Sequence, residues 1–173
     1  SADLLCALLG VSRTSVREAL RELESEGLIS TEGGRPVVAI LTVAEVQAIY
    51  EVRTVLEGLA ARLFAQRSTP AQFAALAEAA HALYAAYEHY ETGPFLVAKA
   101  RFYEALFAGA GNVVAASMLR TLNTKISQLR ATSLASQDRV RASVAEIRAL
   151  VAALEQRDEA LAAELSASHI RNA

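Results

Sequence analysis

The chain has 173 residues, of which 53% are hydrophobic and 21% are charged, and its formal net charge at pH 7 is −2. This length fits one ordinary domain, or a small domain followed by a medium one. The alanine-rich composition is typical of closely packed helices and excludes a disordered chain. The weakly acidic balance gives no general attraction to nucleic acid, so a DNA site would depend on where individual arginines lie.

Signals for export and membrane insertion are missing from the sequence. It contains no run of eighteen apolar residues and does not open with a secretion signal. The single cysteine, Cys6, excludes an internal disulfide and fits a reducing compartment. We therefore expect a cytoplasmic protein without a membrane partner. The chain also lacks an initiator methionine and begins inside a predicted helix, so we expect its natural N-terminus to be missing.

The first 42 residues predict a small unit of two helices and a hairpin. The predicted elements are a helix at 3–9, a helix at about 13–26, and β-prone runs at 28–31 and 37–40 on either side of residues 32–36. Gly10-Val11-Ser12 separates the two helices, and Gly27 stands where a helix-ending glycine belongs. This order of elements is the outline of a winged helix-turn-helix.

Every segment after Thr42 predicts helix. The expected spans are 43–66, 70–90, 95–109, 112–134, 137–157 and 158–171. Joints are predicted at Pro70, at Gly93-Pro94 and at residues 109–112. The chain is therefore predicted to be mainly α, with a winged helix-turn-helix (truncated at its start) in residues 1–42 and an all-α six-helix bundle in residues 43–173.

The second predicted helix has two chemically different faces. Its apolar side chains, which predict the face toward the unit's core, are Val16, Ala19, Leu20 and Leu23. Arg13, Thr14 and Arg17 lie on the other face near the N-terminus, where a recognition helix meets base edges. An arginine can bind guanine O6 and N7 with two hydrogen bonds. A solvated surface of arginine and glutamate fits the same spacing, so spacing alone leaves both interpretations open.

The segment LLGVSRTSVREALRELESEGLI at residues 8–29 closely resembles the helix-turn-helix signature of the GntR family of bacterial repressors. The resemblance implies that Arg13, Thr14 and Arg17 contact an operator, and we add Ser12, which precedes them. It also implies that the wing tip, made of Gly33, Gly34 and Arg35, touches the minor groove. Double-stranded operator DNA and a homodimer are the expected partners, because operators of such proteins have two-fold symmetry.

The remaining residues resemble the FadR-type subfamily, whose C-terminal bundle is the FCD domain. The similar segments are EVRTVLEGLAARLF at 51–64, RFYEAL at 101–106, AGAGN at 108–112, Arg130, and residues 143–170. This resemblance implies effector binding and dimerisation by residues 43–173. Arg53 and Glu57 lie one turn apart among apolar positions, and a buried charge needs a partner. Either they form an ion pair at the edge of the core, or Arg53 holds an anionic effector.

Many FCD domains bind a divalent metal through one aspartate and three histidines, and the metal then binds a carboxylate effector. At these four positions this sequence has Lys99, Tyr103, Ile147 and His169. A lysine ammonium and an isoleucine do not ligate metal, and one histidine does not retain it. We therefore expect no metal at this site and no cofactor.

Three hypotheses remain for the altered pocket. In the first, the Lys99 ammonium replaces the metal's charge and receives an acid directly, with Tyr103, His169 and either Arg53 or Arg130. In the second, Tyr103 and Ile147 line an apolar site for an acyl compound. In the third, the pocket has collapsed and binds nothing. The candidate effector-binding residues are Arg53, Lys99, Tyr103, Arg130, Ile147 and His169.

The function expected from these features is transcription regulation, in the form of a DNA-binding repressor with a small-molecule effector, either a carboxylate or an acyl compound. The alternative is a helical, dimeric ligand-binding or interaction module without working DNA binding. An enzyme is not expected. Cys6 has no nearby histidine, His81 and His89 lack an acidic partner at ligand spacing, and no glycine-rich phosphate loop occurs.

Overall fold

The computed structural model describes residues 2–88, 92–126 and 137–173. The chain divides into two compact units, Ser1–Glu45 and Val46–Ala173. The small unit contains α1 (Ala2–Leu9), α2 (Arg13–Ser25), β1 (Ile29–Glu32) and β2 (Arg35–Val38). The later helices are α3 (Val43–Arg67), α4 (Pro70–Glu88), α5 (Thr92–Ala110), α6 (Val113–Lys125), α7 (Gln137–Glu155) and α8 (Glu159–Arg171). The predicted mainly α architecture with one small hairpin is confirmed.

Local hydrogen bonds define both ends of α2. The Ser12 hydroxyl accepts a hydrogen bond from the Ser15 backbone N–H at 3.1 Å, so Ser12 is the N-cap. At the other end Gly27 has a φ of 70°. Its N–H donates to the Glu24 carbonyl, and the Leu28 N–H donates to the Leu23 carbonyl. These two bonds form a Schellman motif, which ends the helix where the glycine predicted it.

The hairpin is tighter than the sequence analysis predicted. The strands pair from Ile29 with Val38 to Glu32 with Arg35, which leaves only Gly33 and Gly34 as the loop. Both glycines have positive φ angles, of 55° and 77°, as a two-residue type I′ turn requires. The predicted runs at 28–31 and 37–40 with five connecting residues were therefore misplaced. The Gly-Gly pair was the signal for the shorter loop.

The small unit has a small hydrophobic core. Val16 is 4% exposed and is the one buried hydrophobic residue among the described residues of this unit. Leu20 is half-buried, Ala19 is exposed, and Leu23 is 36% exposed. The predicted apolar face of α2 therefore packs at Val16 and only partly beyond it.

The second unit has a continuous hydrophobic core. Helix α4 packs against α5 and α7, α7 packs against α8, and α6 lies against α5. The largest fully buried apolar side chains are Phe64, Leu76, Leu83, Phe102, Leu106, Leu119, Ile126, Ile147, Leu154 and Ile170. Among the described residues, no helix is both long and apolar enough to cross a membrane.

The joint predicted at residues 109–112 falls between α5 and α6, whereas the joint predicted at Gly93-Pro94 lies inside α5. Gly93 and Pro94 fall in its first turn, where a proline is tolerated because the missing N–H would have no helical partner. Gly109 lies in its last turn, and a Cβ built there would lie 2.2 Å from Cε2 of the buried Phe64 ring. Gly109 is therefore needed for helix packing, while Gly111, with a φ of 65°, follows the helix end.

The turn between α7 and α8 is held by two side chains. Asp158 caps α8 by accepting a hydrogen bond from the Leu161 N–H at 2.9 Å. Arg157 has a φ of 54°, and its guanidinium donates to the carbonyls of Ala65 and Ser68 at the end of α3. These bonds tie the C-terminal end of α3 to the turn before α8.

Candidate functional site

The outward face of α2 carries the residues predicted to contact DNA. Arg13, Thr14 and Arg17 are all exposed in the first two turns of the helix, while Val16 is buried. Arg13 and Arg17 are one turn apart, which separates their Cα atoms by about 6 Å along the axis. Ser12 is also exposed, but its hydroxyl is engaged as the N-cap.

The wing tip is exposed and small. Gly33 and Gly34 form the turn, and a Cβ built at either position would meet no atom within 4 Å. Arg35 follows in the first position of β2 and is exposed. A nucleic-acid backbone can therefore approach this turn closely, and Arg35 stands beside the point of approach.

A polar cavity lies within the second unit. Its polar lining residues are Tyr50, Arg53, Lys99, Tyr103, Arg139, Ser143 and His169. Its other lining residues are Val140, Ile170 and Ala173. The cavity volume is about 30 Å³. Among the described residues, three cationic side chains and no aspartate or glutamate line it, and two of the three, Arg53 and Arg139, form ion pairs with Glu57 and Glu146.

Arg53 and Glu57 form the predicted ion pair, but in the core and not at its edge. Their side chains are 1% and 0% exposed, and Arg53 Nη2 lies 2.6 Å from Glu57 Oε1. Arg53 Nε donates to the same oxygen at 2.9 Å. Burial is the largest single effect and acts to lower the pKa of Arg53, but the charge of Glu57, its hydrogen bond and the nearby Tyr103 and Tyr50 together raise that pKa, so the guanidinium stays charged.

One guanidinium nitrogen of Arg53 takes no part in this ion pair. Nη1 is buried and has no hydrogen-bond partner among the described residues. The guanidinium also lies over the Tyr50 ring, with Cζ 5.1 Å from its centroid. Other atoms of Arg53 line the cavity, while Nη1 itself is buried.

Lys99 and Tyr103 lie on one face of α5 and both line the cavity. The Lys99 ammonium donates to the Ser143 hydroxyl on α7 at 3.2 Å. Tyr103 is buried among aromatic rings, with its centroid 5.8 Å from that of Phe102 and 5.9 Å from that of Phe107. A cation and a phenol therefore face the site where the resemblance implies an aspartate and a histidine.

His169 on α8 is buried at the cavity and bonds to Glu146 on α7. Its Nδ1 lies 2.5 Å from Glu146 Oε2, and its Nε2 is buried without a hydrogen-bond partner among the described residues. Burial is the main cause that lowers the pKa of His169 to about 4. The hydrogen bond with Glu146 opposes this shift, and the charge of Lys99 adds to it. The imidazole is therefore neutral at pH 7.

Glu146 bonds to His169 but does not itself line the cavity. It also accepts hydrogen bonds from Arg139, at 3.1 and 2.7 Å, and from the Asn172 amide at 3.0 Å. Burial acts to raise the pKa of Glu146, but the hydrogen bonds from His169, Arg139 and Asn172 outweigh it and keep the pKa well below its usual range. Arg139, Ser143 and Glu146 were not predicted from the sequence, although their spacing on α7 puts them on one helix face.

The structure brings together four of the predicted effector residues, namely Arg53, Lys99, Tyr103 and His169. Ile147 is fully buried in the core and is not part of the cavity lining. Arg130 lies outside the described residues, as does His89, while His81 is exposed.

The donor set does not fit the metal that the resemblance implies. An ammonium, a phenol and an alkyl side chain stand beside one imidazole, and divalent metals in such sites need several nitrogen or carboxylate ligands. Within the described parts of the chain, no group of three or more histidine, cysteine, aspartate or glutamate side chains is placed to hold a metal ion.

A helix-turn-helix with a wing, followed by an all-helical unit with a polar cavity, is the architecture of a two-domain bacterial regulator. Residues 2–38 match the family described as bacterial regulatory proteins, gntR family, and residues 48–172 match the FCD domain. The chain therefore belongs to the GntR family of regulators with a C-terminal FCD domain.

Two curated relatives agree with this assignment. An HTH-type transcriptional regulator in the TAR-I ttuE-ttuC' intergenic region of Agrobacterium vitis is 36% identical over 106 residues, which are 59% of this chain and 62% of the relative. The Nta operon transcriptional regulator of Aminobacter aminovorans is 41% identical over 73 residues, which are 42% of this chain and 35% of that protein. The matched segments thus span less than two thirds of either relative.

Solved structures show the same fold. Escherichia coli McbR/YncC superposes with a TM-score of 0.88 at 22% identity, over 98% of this chain and 82% of that one. A transcriptional regulator of the GntR family from Rhodococcus sp. RHA1 gives a TM-score of 0.77 at 22% identity, with coverages of 99% and 82%. A GntR family member from Pseudomonas syringae is 29% identical with a TM-score of 0.57, and the match covers 99% of this chain and 72% of that one.

Proposed function

We propose that this chain binds operator DNA as a homodimeric repressor and that its helical unit binds a small organic anion which releases the DNA. The observation that carries the DNA-binding part is the exposure of Arg13 and Arg17 in the first two turns of α2, a helix that is anchored at Val16. Family membership supports the same function, and the low net charge makes the placement of these two arginines decisive.

Helix α2 is the recognition helix in this proposal. Its N-terminal turn enters the major groove, where Arg13 and Arg17 each pair with a guanine and Thr14 contacts a base edge or phosphate. Ser12 acts mainly by capping the helix, so that the first turn is rigid when it meets the DNA. The wing turn, Gly33 and Gly34, approaches the backbone, and Arg35 enters the minor groove.

The DNA test begins by selecting duplexes from a random library with the unaltered protein, since the operator is not identified. Arg13→Ala and Arg17→Ala should each weaken binding of the selected duplex by five- to a hundredfold, because a base contact contributes about 1–3 kcal/mol. Arg101→Ala is the matched control, because Arg101 is exposed on α5 and its replacement by alanine removes the same charge. Fluorescence anisotropy at fixed salt measures all three.

Two results of this test would count against the proposal. Failure to enrich any duplex would favour a ligand-binding or interaction module without DNA binding. Equal losses in all three variants would indicate general electrostatic attraction instead of base contacts. A selected sequence with two-fold symmetry, together with the mass of the complex, would support the homodimer.

The effector part of the proposal depends on the polarity of the cavity. Arg53, Lys99 and Arg139 line it, and Arg53 Nη1 is a buried donor without a partner among the described residues. An aspartate with a divalent metal carries a formal charge of about +1, and the ammonium of Lys99 carries the same charge at that position. A carboxylate therefore suits the cavity directly, whereas an acyl chain would meet mostly polar groups in a space of about 30 Å³.

Binding of small carboxylates to EDTA-treated protein tests the effector part. Acetate, propionate and succinate are titrated while the melting temperature is followed, and stabilisation should persist without metal. Lys99→Met should abolish it. Lys125→Met is the matched control, because Lys125 is the chain's only other lysine, is also half-buried, and does not line the cavity. Stabilisation by acyl-CoA alone would favour the apolar pocket, and none by any compound would favour a collapsed one.

A further inference from the structure

The wing, which is the hairpin of β1 and β2 with its turn, is anchored at its base by backbone hydrogen bonds. The Leu28 N–H donates to the Leu23 carbonyl of α2, and the Ala39 N–H donates to the Leu28 carbonyl, each at 2.9 Å. The turn at Gly33 and Gly34 lies about 16 Å further along the chain at the usual rise of a strand. A two-stranded hairpin is marginally stable by itself, so bonds at the base do not fix where its tip lies.

A side-chain hydrogen bond links the wing to α2 much nearer the tip. The Thr31 hydroxyl on β1 donates to Glu24 Oε1, in the last turn of α2, at 2.8 Å. In the strand register Thr31 stands opposite Pro36, and the next pair, Glu32 and Arg35, flanks the turn. The bond therefore joins the helix to the wing one residue pair away from Arg35.

This bond connects two groups of DNA-contacting arginines in the proposed function. Arg13 and Arg17 lie in the first two turns of α2, and Glu24 lies in its last turn, so one continuous helix carries all three. Arg35 lies on the strand that pairs with Thr31's strand. A contact to two neighbouring grooves needs a fixed separation between its two parts, and fixing a loose wing only on binding would cost entropy.

We propose that the hydrogen bond from Thr31 to Glu24 positions the wing, so that Arg35 reaches the DNA while Arg13 and Arg17 occupy the major groove. This inference rests on the DNA-binding part of the proposed function and adds two residues to it. Thr31 and Glu24 are positioning residues in this arrangement, because they act through Arg35 and not through a DNA contact of their own.

The position of the wing is first tested in the free protein. Thr31→Val removes the hydroxyl and keeps a β-branched side chain that suits a strand. Thr31→Ser keeps a hydroxyl that can donate to Glu24. Amide order parameters of Gly33 and Gly34, from nitrogen-15 relaxation, should fall below about 0.6 in the valine variant, which is the flexible range. In the serine variant they should equal those of the unaltered protein.

The effect on DNA is measured with the duplex selected by the unaltered protein. Thr31→Val should weaken binding about fivefold at fixed salt, as expected for the loss of one exposed hydrogen bond. Thr31→Ser should restore the affinity. Thr121→Val is the matched control, since Thr121 is exposed on α6 and its replacement also exchanges a hydroxyl for a methyl group. The control should bind as the unaltered protein does.

Two double variants show whether Thr31 acts through Arg35. In an Arg35→Ala background the positioned group is gone, so Thr31→Val should weaken binding by less than about twofold more. In an Arg13→Ala background the wing still binds, and Thr31→Val should retain its effect of about fivefold. A merely structural role for Thr31 would give the same factor in both backgrounds.

The outcomes separate this inference from the proposed function. Unchanged order parameters or unchanged affinity in Thr31→Val, or equal factors in the two backgrounds, would overturn the positioning role while DNA binding stands. If the unaltered protein selects no duplex, the DNA-binding part of the proposed function fails and the inference fails with it. Should Thr31→Val not fold, Thr31→Ala removes the same hydroxyl and takes its place in both measurements.

Discussion

The two units of this chain are stabilised in different ways. Among its described residues the small unit buries one hydrophobic side chain, Val16, while Leu8 is 71% exposed. The second unit buries a core large enough to enclose an arginine and a glutamate completely. The comparison teaches that the small unit depends on helix caps and turn geometry, whereas the bundle depends on packing and on satisfying the charges that it encloses.

The largest expected effect is in the bundle, at its buried ion pair. Glu57→Ala leaves the Arg53 guanidinium buried without its carboxylate, and we expect a loss of about 4 kcal/mol in the free energy of unfolding. Urea denaturation followed by circular dichroism measures it. Glu78→Ala, at an exposed position on α4, should change stability by less than about 0.5 kcal/mol.

The ion-pair prediction can be sharpened with a double variant. Replacing both residues by apolar ones, as Arg53→Met with Glu57→Leu, should recover most of the lost stability, because no charge remains buried. If Glu57→Ala were as stable as Glu78→Ala, the buried ion pair would not contribute to stability. The enclosed charges would then not be a difference between the bundle and the small unit.

The next effect concerns the packing of α5 on α3. Gly109→Ala would put a methyl group 2.2 Å from the buried Phe64 ring, and we expect a loss of about 3 kcal/mol from this overpacking. Gly93→Ala is the control on the same helix, because no atom lies within 4 Å of a Cβ built there. It should be neutral or slightly stabilising. Equal melting temperatures for the two variants would show that Phe64 moves aside without cost.

In the small unit, Val16→Ala removes about two methylene equivalents from the one buried hydrophobic position, which corresponds to about 1.5 kcal/mol. The loss should be local. Hydrogen exchange should quicken in the amides of α2 and the hairpin and stay unchanged in α4 and α5. Faster exchange throughout the chain would mean that the two units unfold together, and that their comparison as separate structures is wrong.

The smallest expected effect is at the N-cap of α2. Ser12→Ala removes the acceptor of the Ser15 N–H and should cost about 1 kcal/mol, seen as fraying of the first turn that carries Arg13. Ser12→Asp should restore the cap. The chemical shifts of the α2 amides measure the fraying in Ser12→Ala and its repair in Ser12→Asp. A loss in Ser12→Ala that Ser12→Asp does not repair would point to a role for the hydroxyl other than capping.

Much of the fold followed from local patterns. Gly27 predicted the end of α2, and the apolar periodicity predicted the helices of the bundle. The errors arose where glycine and proline had more than one possible role. Gly93 and Pro94 begin α5 instead of preceding it, and the purpose of Gly109 depends on Phe64, which lies 45 positions earlier in the chain.

The candidate sites were predictable to different degrees. Arg13, Thr14 and Arg17 could be assigned to an outward face because a single helix determines which side chains share a face. The cavity required four helices at once. Arg53, Lys99, Tyr103 and His169 were predicted through resemblance, whereas Arg139 and Glu146 were not predicted. Ile147 was predicted as a site residue but belongs to the core.

The sequence by itself determined the order of the elements, the exposed arginines at the start of α2 and the loss of the family's metal ligands from three of its four positions. Only the tertiary structure decided that Arg53 and Glu57 are enclosed and that the two nitrogens of His169 differ in their partners. The physical reason is the separation along the chain between the residues that determine each property. Helix faces and turns depend on neighbours a few positions away, whereas burial and hydrogen-bond partners depend on residues that only folding brings together.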